Sequence, residues 1–276
     1  MRSRSALIAL VALCLALGAC RSLASRNPAA APADPRLAAI LARGQLRVGV
    51  SADRPPLNAR NKSGEIVGFE VDIVRALADA MGLEATFVVT PFAELIPAVE
   101  RGDVDLAISG LTMTPERNAR VAFAGPYFIS GMSVLAKAKA ITDVGNPKAL
   151  DLAERRYAAV VGSTSAKFIA DVLPHAQLVE LPDYDTGVQR VIDGRVDALF
   201  ADHLVCAVAV WRHPEAGLSA LATPFTIEPL GIALPPDAPL LLNLVDNYLD
   251  TVDATGLLAT FKARWLADGR WLAEMP

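Results

Sequence analysis

One local pattern occurs twice in this chain. Glu100-Arg101-Gly102-Asp103-Val104-Asp105-Leu106-Ala107-Ile108 runs into Ser109, and Ile192-Asp193-Gly194-Arg195-Val196-Asp197-Ala198-Leu199-Phe200 runs into Ala201-Asp202. Each copy reads as a helix end, a glycine terminator, and a buried strand that finishes in polar residues. Chains built from such units fold as α/β layers, and in an open α/β sheet ligands bind just beyond the carboxyl ends of the strands. Two units that each offer polar groups at a strand end predict two lobes facing one cleft.

The flanking segments support this. Residues 35–43 suit a short helix stopped by Gly44, and residues 46–50 a first strand. Gly68, Glu70 and Asp72 open a helix that runs to Met81, residues 84–90 alternate as a strand, and residues 92–101 form a helix before the strand 104–108. This βαβαβ order implies a mostly parallel sheet with right-handed crossovers. The strand 158–161, a helix after Ser165, the strand 178–181, the helix 184–193 and the strand 196–200 repeat the scheme. Residues 240–266 have helical apolar spacing broken at Gly256.

After the first strand end comes Ser109-Gly110-Leu111-Thr112-Met113-Thr114-Pro115-Glu116-Arg117. Small residues let a ligand approach the backbone, Thr-Pro-Glu opens a helix, and an arginine fork can hold a carboxylate through two parallel hydrogen bonds. The same residues also suit a capped helix with a solvated arginine. With Arg117 on one wall and Asp202 on the other, the cleft offers what a zwitterion needs.

The N-terminus carries Arg2 and Arg4, then an almost wholly apolar run over residues 6–19 that is too short for a relaxed membrane span. It ends in Leu17-Gly18-Ala19-Cys20, which resembles the bacterial lipobox. Residues 1–19 are therefore expected to be a lipoprotein signal peptide, with Cys20 as the lipidation site. Residues 20–36 then form a flexible, Ala/Pro/Ser-rich tether to a membrane. Loss of Arg2 and Arg4 takes the formal charge from −4 to −6, which argues against nucleic acid as a partner. Of three cysteines, Cys14 lies in the signal and Cys206 sits in an apolar segment as a small core residue, so there is no disulfide framework.

The ordered set of segments resembles the extracytoplasmic solute-binding proteins of family 3, the polar amino-acid receptors of ABC importers. The matching pieces are Leu46-Arg47-Val48-Gly49-Val50, Gly68-Phe69-Glu70-Val71-Asp72-Ile73, Leu95-Ile96-Pro97-Ala98, the stretch from Ile108 to Arg117, Phe123-Ala124-Gly125-Pro126-Tyr127-Phe128, Val161-Gly162-Ser163-Thr164 and Gly194-Arg195-Val196-Asp197-Ala198. The resemblance implies a two-lobed periplasmic-binding-protein fold of type II, with parallel-rich sheets flanked by helices and a ligand cleft between lobes. It places lobe 1 over residues 37–129, lobe 2 over 130–224, and a return to lobe 1 over 225–276. The crossings are expected at residues 127–134 and 224–231. It also implies an amino acid ligand, an ABC permease and ATPase as partners, a periplasmic or cell-surface location, a monomer, and no cofactor.

Position by position, the resemblance makes Arg117 the carboxylate clamp and Asp202 the ammonium acceptor. Ser109, Gly110 and Thr112 add hydroxyl and backbone bonds, and Ser163 and Thr164 stand at a helix N-terminus that suits a carboxylate. Phe92 matches a position that packs on the ligand's side chain, although a core phenylalanine reads equally well. Relatives commonly carry an aromatic residue at the place of Arg54; here the expectation is a rim arginine pointing at solvent, with recognition of an acidic or amide side chain as the alternative. Binders of cationic amino acids tend to carry an acid at the place of Ser51, so Ser51 counts against lysine or arginine.

Catalytic patterns are weak. His175, His203 and His213 are not spaced as a metal site, and there is no phosphate loop. Two alternatives stand beside the receptor. One is a cyclohexadienyl or arogenate dehydratase, which needs a proton-donating acid in the cleft, with Glu70, Asp53 and Asp202 as candidates. The other is a ligand-sensing subunit for a membrane receptor; no apolar span follows Pro276, so sensing would need a separate partner.

Overall fold

The computed structural model describes residues 34–138, 150–267 and 269–275. The expected signal peptide, Cys20 and most of the tether lie outside these residues. In chain order the elements are α1 (Pro35–Arg43), β1 (Gln45–Val50), β2 (Asp53–Arg54), β3 (Asn58–Arg60), β4 (Ile66–Val67), α2 (Phe69–Met81) and β5 (Glu84–Val89). A 3-10 turn (Phe92–Glu94) leads into α3 (Leu95–Arg101), β6 (Leu106–Ala107), α4 (Pro115–Asn118), β7 (Ala122–Ser130) and β8 (Met132–Lys137). Then follow β9 (Arg156–Val160), α5 (Thr164–Val172), β10 (Gln177–Leu181), α6 (Tyr184–Ile192), β11 (Ala198–Asp202) and α7 (His203–Arg212). β12 (Leu218–Ala220), β13 (Glu228–Leu234), α8 (Pro239–Ala254) and α9 (Leu257–Lys262) complete the series.

These form two five-stranded sheets of like design. The first has the order β5-β1-β6-β13-β7 and the second β10-β9-β11-β8-β12. In each, four strands run in one direction and a single strand, β13 in the first sheet and β8 in the second, runs against them. The sheets are thus parallel-rich, as the βαβ pattern predicts, and become mixed through one reversed strand each. The physical reason lies in β8 and β13, the strands that follow the two crossings between lobes. They enter their sheets without a crossover helix, so they are free to run antiparallel. The small antiparallel sheet β2-β3-β4 escapes sequence reading because its strands have two or three residues each.

The doubled sequence pattern folds as a doubled structure. Gly102 and Gly194 both take positive φ, at 75° and 69°, ending α3 and α6 in the left-handed conformation that glycine adopts without Cβ strain. The next two N–H groups turn back in the same way, to Ala98 O in one copy and Arg190 O in the other. The aspartate that follows clamps the neighbouring strand: Arg47 N donates to Asp105 Oδ2 at 2.7 Å, and Arg156 N donates to Asp197 Oδ2 at 2.7 Å.

The two chain crossings touch. Gly131 separates β7 from β8, and a Cβ there would stand 2.2 Å from Thr226 O in the returning segment just before β13. Met132 N donates to Thr226 Oγ1 and Phe225 N to Met132 O, which ties both crossings into one ribbon. One apolar cluster fills the first lobe around Leu46, Phe69 and Trp265, and another fills the outer side of the second around Tyr157 and Phe200. A third joins residues of both lobes, with Leu95 and Leu111 on one side and Tyr184 and Leu199 on the other. Cys206 lies in α7 within this cluster, fully buried, and burial pushes its thiol well above the ordinary range. That suits an inert core residue.

Candidate functional site

The first wall grows from the ends of β1 and β6. Ser109 is fully buried and its hydroxyl accepts from Ser51 N at 3.0 Å and from Asn58 Nδ2 at 3.2 Å. Behind it lies Glu70, also fully buried although it sits in the first turn of α2. Its carboxylate accepts from Gly110 N at 2.6 Å, from Asn58 Nδ2 at 2.5 Å and from the Tyr127 hydroxyl. Burial raises its pKa, against those hydrogen bonds and the charge of Arg54. Glu70 therefore fixes the backbone of Gly110, which takes a positive φ of 60°.

Arg54 overturns the expectation of a solvent-facing rim residue. It is only 3% exposed. Its guanidinium lies between two rings, 5.0 Å from the centroid of Phe92 and 4.9 Å from that of Tyr184. Nη1 donates to Ser109 O at 2.7 Å and Gly110 O at 3.3 Å. Burial opposes its charge, but Tyr184, Asp202, Asp53 and Glu70 outweigh burial and hold its pKa above the ordinary value. Apart from its neighbour Asp53, the stacking surface and the acids around this side chain come from distant parts of the chain.

Arg117 follows the Thr114 cap of α4 and reaches across the cleft. Nη1 donates to Thr112 O at 2.9 Å within its own lobe, and Nη2 donates to Gly162 O at 3.0 Å in the other. Its guanidinium also lies 5.6 Å from the Phe92 centroid. Burial, then the like charge of Arg54, lowers its pKa to about 10, which leaves it charged at neutral pH.

The second wall is built from helix starts. Ser163 caps α5 and accepts from Ala166 N at 3.1 Å. Asp202 ends β11 and caps α7, accepting from Leu204 N at 2.9 Å and from the Ser130 hydroxyl at 2.6 Å. It is 5% exposed. Between the walls, at the start of β13, stands Glu228. It accepts from Thr112 Oγ1 at 2.9 Å and Thr164 Oγ1 at 3.2 Å, and so joins the lobes.

Two spaces result. Arg54, Phe92, Gly110, Thr112, Ser163, Thr164, Ser165, Tyr184, Asp202 and Glu228 line an inner cavity of about 10 Å3, room for one water. Arg117 lines an adjoining open groove of about 420 Å3, which shares Phe92, Ser163 and Thr164 with the cavity. A ligand of amino-acid size enters the inner cavity only when the lobes part or side chains withdraw. Among the described residues, no cluster of His, Cys, Asp or Glu could hold a metal ion, and no helix is long and apolar enough to cross a membrane.

Residues 46–268 match the bacterial extracellular solute-binding proteins, family 3. This chain belongs to that family. It is 32% identical over 227 residues to an ABC transporter arginine-binding protein of Escherichia coli (strain K12), covering 80% of this chain and 90% of that one. It is 30% identical to an ABC transporter glutamine-binding protein of Bacillus subtilis, covering 95% and 96%. It is 28% identical to the cyclohexadienyl dehydratase of Pseudomonas aeruginosa, covering 94% and 93%. Among solved structures, a binding component of an ABC transporter from Wolinella succinogenes, complexed with lysine, is 33% identical with a TM-score of 0.77, covering 84% of this chain and 99% of that one. These neighbours carry the two-lobed, type II periplasmic fold.

Within this solute-binding protein, seven of the ten sequence-derived candidates meet at the inner cavity: Arg54, Phe92, Gly110, Thr112, Ser163, Thr164 and Asp202. Arg117 stands at the adjoining groove. Ser51 and Ser109 line neither space; Ser51 Oγ donates to Asp53 Oδ1 at 2.5 Å, and both serines brace the wall from behind. Phe92 packs in the core and also lines the cavity. Sequence reasoning missed Glu228 and Tyr184. The only trace of Glu228 was an acid opening an otherwise apolar strand, and Tyr184 read as a helix start.

Proposed function

We propose that this chain is the extracytoplasmic receptor of an ABC importer, closing two lobes on an amino acid or close analogue. The observation that carries the reading is the division of charge across the cleft. Arg117 reaches from lobe 1 to Gly162 of lobe 2, while Asp202 lies buried on the opposite wall. Arg117 binds the carboxylate, helped by Gly110, Thr112 and the free N–H groups at the start of α5. Asp202 takes the ammonium, with Glu228 beside it, and Phe92 packs on the ligand's side chain. The protein has no resident cofactor and works as a monomer. Residues 1–19 are removed, Cys20 is acylated, and the head hangs from a membrane in the periplasm or at the cell surface. Its partners are a permease and an ATPase.

Names of relatives support this reading, since arginine- and glutamine-binding proteins of ABC transporters are among them. A thermal-shift screen of the twenty amino acids tests it. A ligand at a hundred times its dissociation constant adds about 2.7 kcal/mol of stability. Small-angle scattering with that ligand then shows compaction, because its contacts favour the closed state. No shift with any amino acid refutes the reading. For the anchor, Cys20→Ala yields unprocessed or released protein; unchanged attachment refutes it.

A second reading rests on Glu228. A dehydratase needs an acid group in its cleft, Glu228 lines the cavity, and the similarity to cyclohexadienyl dehydratase runs nearly the whole chain. Turnover of prephenate or arogenate that disappears in Glu228→Gln would establish the enzyme. No turnover leaves the receptor.

A further inference from the structure

Arg54 leaves hydrogen-bonding capacity unspent. Nη1 is satisfied by two backbone carbonyls. Nε is buried without a partner, and the guanidinium's hydrogen bonds among the described residues run from Nη1. Buried donors of a charged group are costly to leave unmade. The acids around Arg54 sustain its charge, yet none accepts a hydrogen bond from it. The side chain is 3% exposed and lines the inner cavity. Its position is enforced from three sides. Phe92 from lobe 1 and Tyr184 from lobe 2 close on its faces. Below it, a Cβ on Gly110 would come within 2.8 Å of Arg54 Cζ, so only glycine at 110 admits the guanidinium there.

This arrangement has a consequence for any side chain entering the cavity. The aromatic sandwich that would favour a cation is already filled by a fixed cation. A ligand ammonium or guanidinium would meet a like charge in a site removed from water, where repulsion is strong. A carbonyl or carboxylate oxygen would instead meet free guanidinium donors in a planar fork.

We propose that Arg54 is the specificity-determining residue of the cleft: it selects ligands whose side chain ends in a carbonyl or carboxylate oxygen and rejects cationic ones. This rests on the amino-acid receptor reading above. The acidic and amide amino acids share that chemistry, and the experiment separates them.

The test is calorimetric titration of the full chain with glutamate, aspartate, glutamine, asparagine, leucine, arginine and lysine, in wild type, Arg54→Met and Arg54→Lys. The wild type binds an acidic or amide amino acid at least about a hundredfold more tightly than arginine or lysine, on the scale set by buried polar recognition. Arg54→Met keeps the length but loses charge and donors. It weakens that ligand by about ten- to a hundredfold, the worth of a hydrogen bond to a charged group, and strengthens arginine or lysine. Arg54→Lys keeps the charge and gains no cationic ligand. A wild type that prefers arginine, lysine or leucine overturns the proposal whether or not the variants fold. An unchanged ranking in folded Arg54→Met, checked by circular dichroism, also overturns it while leaving the receptor standing. Wild-type protein that binds none of the seven, nor any other amino acid, removes the receptor reading and this inference with it.

Discussion

The two lobes use the same turn and weight it differently. Asp105 and Asp197 occupy equivalent positions and accept the same backbone bond from the adjacent strand. Asp105 is 6% exposed and holds both Arg43 and Arg47, the latter at 3.0 Å. The Asp197 side chain is 31% exposed, and its nearest guanidinium, on Arg155, stands 3.7 Å away. The strand ends diverge further. Lobe 1 presents Ser109 and Gly110 over a buried network of Glu70, Asn58 and Tyr127, whereas lobe 2 presents Asp202 as a helix cap. A repeated sequence device therefore fixes where a strand ends. The burial around it fixes what that end contributes.

The comparison breaks most visibly at the ligand. Removing one member of a desolvated charge pair costs roughly 2–5 kcal/mol, about a thirty- to several-thousandfold loss of affinity. Arg117→Ala on lobe 1 and Asp202→Ala on lobe 2 each lose binding on that scale by calorimetry. Only Asp202→Ala also loses about 1 kcal/mol of stability, because it removes a helix cap. Near-native affinity in either variant would make the charged walls unequal.

The turns themselves come next. Asp105→Ala leaves two arginines around a buried site without their acid and costs about 3 kcal/mol in denaturant unfolding. Asp197→Ala costs about 1 kcal/mol or less, since its partners are half in water. Equal losses would mean that the shared backbone bond, and not burial, sets the weight.

At the join between lobes, Gly131→Ala drives a methyl against Thr226 O and Pro224. Overpacking of this kind costs about 1–3 kcal/mol. Scattering shows the lobes displaced from their wild-type arrangement; an unchanged profile would place the pivot elsewhere.

The smallest effect separates the lobes by pH. Glu70 has a raised pKa in the folded chain, so its contribution to stability is full below its ordinary value of 4.5 and falls as pH rises through the higher folded-state value. In thermal unfolding across that range, Glu70→Gln loses less stability with rising pH than the wild type does. Parallel curves would mean that the network neutralises burial.

The doubled Gly-x-Val-Asp pattern determined two α/β units and their helix ends, because φ at Gly102 and Gly194 and the apolar runs that follow are local properties, while the strands themselves settle at Leu106–Ala107 and Ala198–Asp202, up to two residues from the expected bounds. The same local reading found Thr114 and Ser163 at helix starts, since caps depend on their own neighbours, whereas Asp202 read only as a strand end and proves also to cap α7. Local sequence could not decide which way a long side chain points. Arg54 turns inward because Phe92, Tyr184 and the bare backbone of Gly110, from three separate segments and both lobes, form one slot. Glu228 enters the cleft because β13 pairs with β7 and brings it beside Thr112 and Thr164. The one reversed strand in each sheet came from the same cause, chain crossings whose pairing is set across the whole molecule. Those positions depend on contacts between segments far apart in the chain, and only the tertiary structure supplies them.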